Sequence, residues 1–381
     1  MNIILISNFL NHHQIPFCEE MYKLLGEGFR FISDQAVPDE FIRNGYPDNT
    51  EKPYHIKAWL NPQMRQLASK LIDDADVVIL GEAPYHYIKN RLKAGGLTFK
   101  YAERLFKEGA LQVLNPRKIY HILIRHTRYR NKNFHLLAAS AYTVNDFRGF
   151  FTYPGKKYKW GYFTSVEELD INRLLTGKCS QKPEIIWVAR FIRWKHPELV
   201  VKLALDLKKK GYSFHITMIG TGYLWKEIRS LVKEKNLEQE ISMSGSMSNQ
   251  RVREAMLRSN IFLFTSDRNE GWGAVLNEAM SSGCAPVASN RIGAAPYLIS
   301  DGVNGLLFKS EQSEDLTRKV ITLLDDPGFS REIARQAYLT MNNLWSPKNA
   351  AVQFIRLSES ILAGKRITPG KGPCSTAEIT R

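Results

Sequence analysis

Cysteine is scarce in this chain of 381 residues, and the four cysteines stand far apart in the sequence. Cys18, Cys179, Cys284 and Cys374 form no C-x-x-C pair and no other spacing typical of zinc or redox sites. Scattered cysteines of this kind are typical of reduced thiols in a cytoplasmic protein. The sequence therefore excludes a disulfide framework, a zinc finger and a dithiol redox site.

Long apolar runs are also lacking. No stretch approaches about 18 uncharged apolar residues, so we predict no transmembrane helix. The opening segment MNIILISNFL has no basic region, and Asn8 breaks its short apolar run, so we expect no signal peptide. Because single hydrophobic cores stop growing near about 250–300 residues, the length predicts two domains.

Acidic residues are few between positions 89 and 159, where 16 Lys and Arg stand against 3 acids. This stretch holds most of the net charge of +15, and aromatic residues are interleaved in it. Basic and aromatic side chains together suit an anionic membrane surface or an anionic acceptor. Nucleic acid is a further possible partner, but no nucleic-acid motif accompanies the charge, so we expect none. A solvated basic face without a partner is the structural alternative.

The chain alternates short apolar runs with segments of helical spacing, which predicts βαβ units and mainly parallel sheets. In the first half the predicted strands are 3–7, 29–32 and 76–80, and the predicted helices are 14–26 and 62–73. The segment 118–124 fits a strand or a buried helix, and 136–144 reads as a helix running into a strand.

The second half alternates more clearly, after a polar linker at 163–182. Its predicted strands are 184–189, 214–219, 240–244, 260–264 and 285–288, and its predicted helices are 197–210, 223–235, 248–258, 274–282 and 314–325. Two final helices are predicted at 329–341 and 347–363. We therefore predict an α/β protein with two doubly wound domains, at 1–165 and 166–345, a terminal helix at 346–363 and a disordered tail at 364–381.

The strongest chemical signal is the segment RNEGWGAVLNEAMSSGCAPVA at 268–288. It places Glu270 and Glu278 eight residues apart, with Gly271 and Gly273 after the first carboxylate. The predicted helix N-terminus in this segment offers N–H groups and a positive dipole end to a diphosphate. Glycines let the backbone approach a ligand closely, and carboxylates accept hydrogen bonds from sugar or ribose hydroxyls. An isolated pair of glutamates at this spacing is more often surface charge.

This segment resembles the Glu-x7-Glu motif of glycosyltransferase family 4, a retaining family with the GT-B fold. Four further segments resemble the family in the right order along the C-terminal half. They are WVARFIRWKH at 187–196, MIGTG at 218–222, SGSM at 244–247 and the stretch 285–305 that ends in YLISDGVNG.

The resemblance implies a role for each matching residue. Arg190 and Lys195 would neutralise the donor diphosphate and stabilise it as the leaving group. Glu270 would contact the donor sugar, and Glu278 would hold the ribose. The other implied donor contacts are Gly271, Trp272, Gly273, Gly220, Gly222 and Ser244, of which Trp272 alternatively serves simple packing. The resemblance also implies no cofactor, no metal and no protein nucleophile, because the leaving phosphate takes the acceptor proton in such enzymes.

The N-terminal half resembles the family less closely. Instead of a glycine-rich loop after the first strand, it has SNFLNHHQIP, in which Asn11, His12 and His13 suit an acceptor sugar. A polar loop before a helix is the alternative interpretation. Residues 81–108 resemble a bacterial subgroup of sugar transferases, and they add His86, Glu103 and Arg104 as acceptor-side candidates.

These observations predict a retaining hexosyltransferase that uses a UDP- or GDP-sugar, in a two-domain GT-B fold with a central cleft. The acceptor would be a glycan or lipid-linked saccharide of a capsule, lipopolysaccharide or exopolysaccharide pathway. We expect a cytoplasmic location, with peripheral contact to the inner face of a bacterial membrane through the basic stretch 89–159. The alternatives are a nucleotide-sugar-binding protein without turnover and a nucleic-acid-binding protein.

Overall fold

The computed structural model describes residues 1–39, 51–107, 114–178, 182–365 and 370–380. The chain divides into two compact units, of which unit 1 contains Met1–Ser165 and Leu344–Arg381 and unit 2 contains Val166–Asn343. Each unit is built on a parallel sheet with helices, and this confirms the predicted α/β class.

The described part of unit 1 has a seven-stranded parallel sheet in the order β3-β2-β1-β4-β5-β6-β7. All five residues of the first strand are buried, as expected for a parallel strand covered on both faces. The strand order reverses direction at β1, which makes the boundary between β1 and β4 the topological switch point. The strands are β1 Ile3–Ser7, β2 Phe29–Ser33, β3 His55–Lys57, β4 Val77–Leu80, β5 Leu97–Ala102, β6 Phe134–Ala138 and β7 Lys157–Lys159.

The helices of unit 1 before residue 166 decide one prediction that was left open and correct a second one. The segment 118–124 is part of a helix, because Asn115 caps the backbone N–H groups of Arg117 and Lys118 and Pro116 starts the first turn. In the segment 136–144 the predicted order is wrong, since a strand comes first and a short helix follows it. The helices are α1 Ile15–Leu25, α2 Pro62–Asp74, α3 Lys89–Ala94, α4 Pro116–Arg125 and α5 Thr143–Asp146.

Unit 2 shows, over its described residues, a six-stranded parallel sheet in the order β10-β9-β8-β11-β12-β13. Its strands are β8 Glu184–Val188, β9 His215–Ile219, β10 Ile241–Met243, β11 Ile261–Phe264, β12 Ala285–Ser289 and β13 Leu306–Phe308. Its helices are α6 Ile171–Lys178, α7 Pro197–Lys209, α8 Trp225–Glu234, α9 Asn249–Arg258, α10 Val275–Ser281, α11 Ala295–Leu298, α12 Ser313–Asp325 and α13 Pro327–Leu339. The predicted linker at 163–182 therefore contains a helix, α6, whose Leu175 packs in the core of unit 2.

Each unit has a buried basic side chain at the amino ends of its strands. The Arg91 guanidinium donates to five backbone carbonyls, those of Ile72, Asp73, Ala75, Asp76 and Leu97. The Lys178 ammonium donates to four, those of Met256, Ser259, Ser282 and Gly283. These carbonyls belong to helix ends, to residues just before strands or, for Leu97, to the start of β5, so each cation satisfies buried acceptors where helices end and strands begin.

After unit 2 the chain returns to unit 1 as helix α14, Pro347–Leu362, which packs against α1. Its Phe354 ring lies 5.0 Å from the Phe99 ring and 5.7 Å from the Trp160 ring. The helix thereby joins the aromatic core on one face of the unit 1 sheet.

The prediction of a disordered tail is wrong for residues 370–380, while residues 366–369 and 381 lie outside the described residues. The Lys159 N–H donates to the Ser375 carbonyl at 2.7 Å, and the Ala377 N–H donates to the Lys157 carbonyl at 2.9 Å. The Asn145 side chain holds Thr380 by two further bonds, of 2.6 and 3.0 Å. The tail thus lies along the edge strand β7, as the antiparallel bridge between Tyr158 and Thr376 shows.

The cysteines and the helices bear on two absences predicted from the sequence, that of a disulfide framework and that of a transmembrane helix. Cys18, Cys284 and Cys374 are buried free thiols, and Cys179 lies outside the described residues. Within the described ranges, none of the helices combines the length and the apolar character that crossing a membrane requires.

Candidate functional site

Three loops of unit 2 leave the carboxyl ends of adjacent strands and carry most of the predicted donor-site residues. They follow β8, β9 and β11, and β8 lies between the other two strands in the sheet. The loop after β8 carries Arg190 and Lys195, and the loop after β11 carries Glu270. Parallel sheets place their ligands at this edge.

Lys195 and Glu270 form a buried ion pair through a direct contact between the ammonium and the carboxylate Oε2. Their side chains are 11% and 12% exposed, although 75 residues separate them in the chain. The Lys195 ammonium also lies 4.3 Å from the centroid of the Trp194 ring. Burial lowers the pKa of Lys195, the Glu270 carboxylate opposes this shift, and the Arg190 charge adds to it.

Arg190 is exposed beside this pair, with its guanidinium carbon 5.8 Å from the centroid of the Trp194 ring. Among the described residues no carboxylate forms a salt bridge with Arg190. The site therefore presents one cation already neutralised by a carboxylate and a second cation available to an anionic ligand.

The loop after β11 reaches its conformation through Gly273. This residue has φ +91°, and a Cβ there would lie 2.5 Å from the Phe264 ring and 3.2 Å from Glu270 Cγ. Only glycine adopts this backbone without strain, so Gly273 lets the loop fold over β11 beside the Glu270 side chain. The Gly293 N–H also donates to the Glu270 carbonyl, at 3.3 Å.

Trp272 is a packing residue in this structure. It is 1% exposed, its indole N–H donates to Asn277 Oδ1 at 3.0 Å, and its ring lies 6.3 Å from the Tyr297 ring. Gly271 is likewise buried in the same loop. The buried indole therefore stabilises the loop by packing against Tyr297 and by its hydrogen bond to Asn277. A direct contact of the Gly271 and Trp272 backbone with the donor stays a prediction.

Glu278 lies in helix α10, which begins after Ala274, a residue whose side chain cannot cap the first turn. Burial raises the pKa of Glu278 to about 7, and the Arg253 charge opposes the shift. The described residues provide no salt bridge to the Glu278 carboxylate. A ligand that donates hydrogen bonds to this carboxylate would stabilise its charged form.

The glycines of the turn after β9 are explained by backbone packing. A Cβ on Gly220 would lie 2.0 Å from the Ala189 carbonyl oxygen, and one on Gly222 would lie 2.3 Å from the Phe191 carbonyl oxygen. Their φ values of +134° and +158° also favour glycine. The loop that carries Arg190 therefore lies on the Cβ side of both glycines, and their contact with a donor stays a prediction.

Ser244 is exposed at the end of β10, next to this turn. Its N–H donates to the Met218 carbonyl at 3.0 Å, and the following carbonyl, that of Gly245, accepts from the Gly220 N–H at 2.7 Å. The contact of Ser244 with a nucleotide stays a prediction.

Among the described residues, one cluster of metal-ligand type involves the same two loops as Lys195 and Glu270, where His196, Asp267 and Glu311 bring ligand atoms within 4.8 Å of one another. The His196 Nδ1 atom is 2.7 Å from Glu198 Oε1, and its Nε2 atom is 3.5 Å from Asp267 Oδ2. These carboxylates raise the pKa of His196 to about 9. His196 thus bridges Glu198 and Asp267 in an ion-pair network beside Lys195.

The acceptor-side candidates lie in unit 1, and the structure brings three of them together. Asn11, Glu103 and Arg104 line a cavity of 680 Å³. Its lining, as far as the described residues define it, does not include His12, His13 or His86.

The three histidines have other surroundings. The His12 and His13 rings lie 3.7 Å apart, and His13 stacks on Tyr162 at 5.5 Å. Burial lowers the pKa of both, that of His13 to about 3, so both imidazoles are neutral at physiological pH. His86 is exposed and stacks on Tyr87 at 4.4 Å.

Sequence reasoning missed two basic residues of the same cavity, Lys100 and Arg125. The signal in the sequence was the basic excess at 89–159, which contains both residues without distinguishing them from the other cations. The strand β5, in which Lys100 lies, was not predicted.

Comparison with known proteins finds similarity to glycosyltransferases over part of the chain. Residues 173–340 match the family model for glycosyl transferases group 1. An uncharacterized glycosyltransferase of Methanocaldococcus jannaschii is 30% identical over 142 residues, which are 37% of this chain and 38% of that protein.

A second relative is the Campylobacter jejuni enzyme N-acetylgalactosamine-N,N'-diacetylbacillosaminyl-diphospho-undecaprenol 4-alpha-N-acetylgalactosaminyltransferase. It is 28% identical over 153 residues, which are 40% of each chain. The matches thus span about half or less of the length of these curated relatives.

Solved structures show the same fold. Anabaena HepE in complex with UDP matches with a TM-score of 0.67 and 14% identity, over 94% of this chain and 100% of that one. Sucrose-phosphate synthase from Thermosynechococcus elongatus also matches with a TM-score of 0.67, at 15% identity over 96% and 100%. The chain therefore has two Rossmann-like units of the kind found in GT-B glycosyltransferases.

Proposed function

We propose that the chain is a retaining glycosyltransferase that moves a hexosyl group from a nucleotide-diphosphate sugar to a saccharide acceptor. The observation that carries this proposal is the buried Lys195–Glu270 pair with Arg190 beside it, at the carboxyl ends of the unit 2 strands. The family match over residues 173–340 and the UDP complex of the HepE neighbour support the same function.

The two cations would act on the donor diphosphate. As the glycosidic C–O bond breaks, negative charge grows on the leaving diphosphate, and Arg190 and Lys195 stabilise it more strongly than they stabilise the bound donor. Glu270 fixes the position of the Lys195 ammonium and accepts hydrogen bonds from hydroxyls of the donor sugar. Glu278 accepts hydrogen bonds from the ribose hydroxyls.

The transfer would proceed with retention of the anomeric configuration. The acceptor oxygen attacks on the same face that the diphosphate leaves, and the departing phosphate oxygen takes the acceptor proton. This path uses no protein nucleophile. It also uses no metal ion, because the two basic side chains supply the positive charge that the diphosphate requires.

The acceptor would be a glycan or lipid-linked saccharide of a cell-surface polysaccharide. The Campylobacter relative, whose name specifies a diphospho-undecaprenol saccharide, supports a lipid-linked acceptor. We propose the inner face of a bacterial membrane as the place of action and capsule, lipopolysaccharide or exopolysaccharide as the product class.

The surface around α4 supports membrane contact. Tyr120 and Leu123 are 60% and 44% exposed on this amphipathic helix, and Phe151 in a nearby loop is 78% exposed. The Thr127 hydroxyl, just after α4, donates to the carbonyl that precedes Phe151 at 2.8 Å. Exposed apolar tips among basic residues are typical of peripheral binding to anionic lipid.

Flotation with vesicles of anionic lipid at low salt tests this contact. The wild-type protein should float and Leu123→Ser should float less, whereas Leu67→Ser, which changes a residue of equal exposure on α2, should behave as wild type. Wild-type protein that stays at the bottom of the gradient removes the membrane part of the proposal.

A thermal-shift panel with UDP, GDP and ADP, each with and without EDTA, tests the donor site. A ligand at about 100 times its dissociation constant adds roughly 2.7 kcal/mol of stability. Stabilisation by one nucleoside diphosphate that EDTA does not remove supports the site and identifies the base. No stabilisation by any of them would refute the donor assignment.

Product analysis separates turnover from simple binding. The sugar conjugate of the nucleotide that binds is incubated with the protein, and the product is followed by proton NMR. Release of the α-anomer from an α-linked donor supports retention, and release of the β-anomer refutes it. Binding without any release favours the alternative of a nucleotide-sugar-binding protein without turnover.

A further inference from the structure

The cavity in unit 1 lies where a parallel sheet places its ligands. Ser7 ends β1, Gly81 follows β4 and Ala102 ends β5, and all three residues line the space of 680 Å³. β1 and β4 are the neighbouring strands at which the strand order reverses. The cavity therefore lies at the topological switch point of the sheet, where open α/β sheets bind ligands.

Basic side chains outnumber acidic ones in the described lining of this cavity. The basic residues are Lys100, Arg104, Lys107 and Arg125, and the acidic residues are Glu82 and Glu103. Two of the four cations have close acidic partners, since Lys107 contacts the Glu103 carboxylate and Arg104 lies 3.2 Å from the Asp146 carboxylate. The excess positive charge therefore lies with the other two, Lys100 and Arg125.

The charges of Lys100 and Arg125 are poorly compensated. The Lys100 side chain is 14% exposed, and its ammonium donates to the Gly81 carbonyl at 2.5 Å. The Glu82 carboxylate is 4.0 Å away and 74% exposed, so water screens it. No described carboxylate forms a salt bridge with Arg125. Burial lowers the pKa of Lys100, and the Arg125 charge lowers it further, so the two cations repel each other.

A phosphate group matches these two cations in charge. A phosphate monoester carries about −1.5 to −2 at pH 7, and a diphosphate that joins a lipid to a sugar carries about −1 on each of its two phosphates, whereas a carboxylate carries −1. A sugar phosphate or such a diphosphate therefore balances both side chains, and a single carboxylate does not. Arg and Lys are also the side chains that proteins use to hold phosphate oxygens.

The rest of the lining suits a sugar. Asn8, Asn11 and Gln14 contribute amide residues to the lining, and Tyr101 and Tyr162 contribute aromatic residues. Amides hydrogen-bond to hydroxyl groups, and the volume lies in the range of small-molecule pockets.

We propose that this cavity binds the acceptor through a phosphate group, which Lys100 and Arg125 hold together. This inference rests on the proposed function, because it assigns the cavity to the acceptor of the transfer. The phosphate belongs either to a lipid-linked saccharide diphosphate or to a soluble sugar phosphate.

Calorimetric titration of the full chain tests the proposal, with saturating UDP present so that the proposed diphosphate site of unit 2 is filled. The probes are glucose 1-phosphate, farnesyl diphosphate, glucuronate and glucose. We expect one or both phosphates to bind at least about tenfold more tightly than glucuronate and glucose. Lys100→Met and Arg125→Gln should each weaken phosphate binding by about tenfold or more, as expected for the loss of a charged hydrogen bond.

The matched control is Arg117→Gln, an exposed change on the same helix as Arg125 that should leave phosphate binding unchanged. Arg125→Gln alters an exposed side chain, so it decides the test if Lys100→Met fails to fold. Tighter binding of farnesyl diphosphate assigns the lipid-linked source, and tighter binding of glucose 1-phosphate assigns the soluble one.

Equal binding of all four probes, or phosphate binding that survives both variants, would overturn the proposal. The UDP titration that precedes the probes tests the donor site independently. If UDP fails to bind while the phosphates bind through Lys100 and Arg125, the proposed function fails and the phosphate site stands.

Discussion

Replacing Glu278 by glutamine should stabilise the protein at pH 8 while it weakens nucleotide binding. Burial raises the pKa of this carboxyl group to about 7 from its ordinary value of 4.5. Between pH 4.5 and about pH 7 the Glu278 carboxyl group keeps a proton in the folded chain that it has released in the unfolded chain. The free energy of unfolding therefore falls as the pH rises through this window. Glutamine keeps the shape of the side chain and carries no charge, so it avoids this cost.

The size of the effect follows from the difference between the two pKa values. At 1.36 kcal/mol per pKa unit, the upper bound is about 3 kcal/mol. Because the Glu278 side chain is only half-buried, we expect about 1–2 kcal/mol after screening by water. For a unit of this size that corresponds to roughly 2–8 °C in the unfolding midpoint.

Thermal unfolding at pH 5, 6, 7 and 8 measures this difference. Glu278→Gln should match wild type near pH 5 and exceed it at pH 8, while Glu227→Gln, an exposed change on α8, should follow wild type throughout. UDP affinity should fall by about tenfold or more in Glu278→Gln, because charged hydrogen bonds to the ribose are lost. If Glu278→Gln and wild type have equal unfolding midpoints at pH 8, the cost assigned to the ionised Glu278 carboxylate is refuted.

Three further predictions concern unit 2. Lys195→Met should lower turnover by about a hundredfold or more, whereas Lys226→Met, on the exposed face of α8, should not. Equal turnover in both variants would contradict the role of the Lys195–Glu270 ion pair. Gly222→Ala should lower the free energy of unfolding measured in urea, because its Cβ meets the Phe191 carbonyl, while Gly177→Ala, with open space around it, should be neutral or stabilising. Lys178→Met should lower the free energy of unfolding by several kcal/mol in the same assay, because four buried carbonyls lose their donor. Its UDP affinity at low temperature should stay unchanged.

The strands that the sequence predicts most clearly are those with a continuous apolar run, such as β1 and β11. In parallel sheets covered on both faces such runs are buried from end to end, so they stand out in the sequence. The short strands β3 and β7 have only three residues each, and their pairing partners rather than their composition define them. The strand β5 contains Lys100, whose charge hides its apolar pattern.

The tail and the first helix of unit 2 show why composition alone misleads. Residues 370–380 are rich in small and polar side chains, which predicts disorder, but their backbone groups bond to β7 and to Asn145. Helix α6 looks like a linker because most of its surface is polar. Its order comes from Leu175 and from the buried ammonium of Lys178, contacts with parts of the chain about 80 to 105 residues away.

The residues of the proposed donor site form a recognisable pattern in the sequence, whereas those of the cavity in unit 1 do not. Arg190, Lys195 and Glu270 belong to a segment pattern with fixed order, and the structure brings their loops together at one sheet edge. The cavity of unit 1 is assembled from residues of several loops without a common spacing. The basic excess at 89–159 pointed to an anion, but only the fold shows that Lys100 and Arg125 face the same cavity.

The tail has a consequence for how copies of this protein behave toward one another. An uncovered edge strand offers unpaired N–H and C=O groups to any other chain, and this promotes aggregation. In this chain Cys374–Thr380 occupies the free side of β7. Proteolysis between α14 and this segment would let the tail leave and would expose the edge of β7, so loss of the tail would be seen as association of molecules with each other.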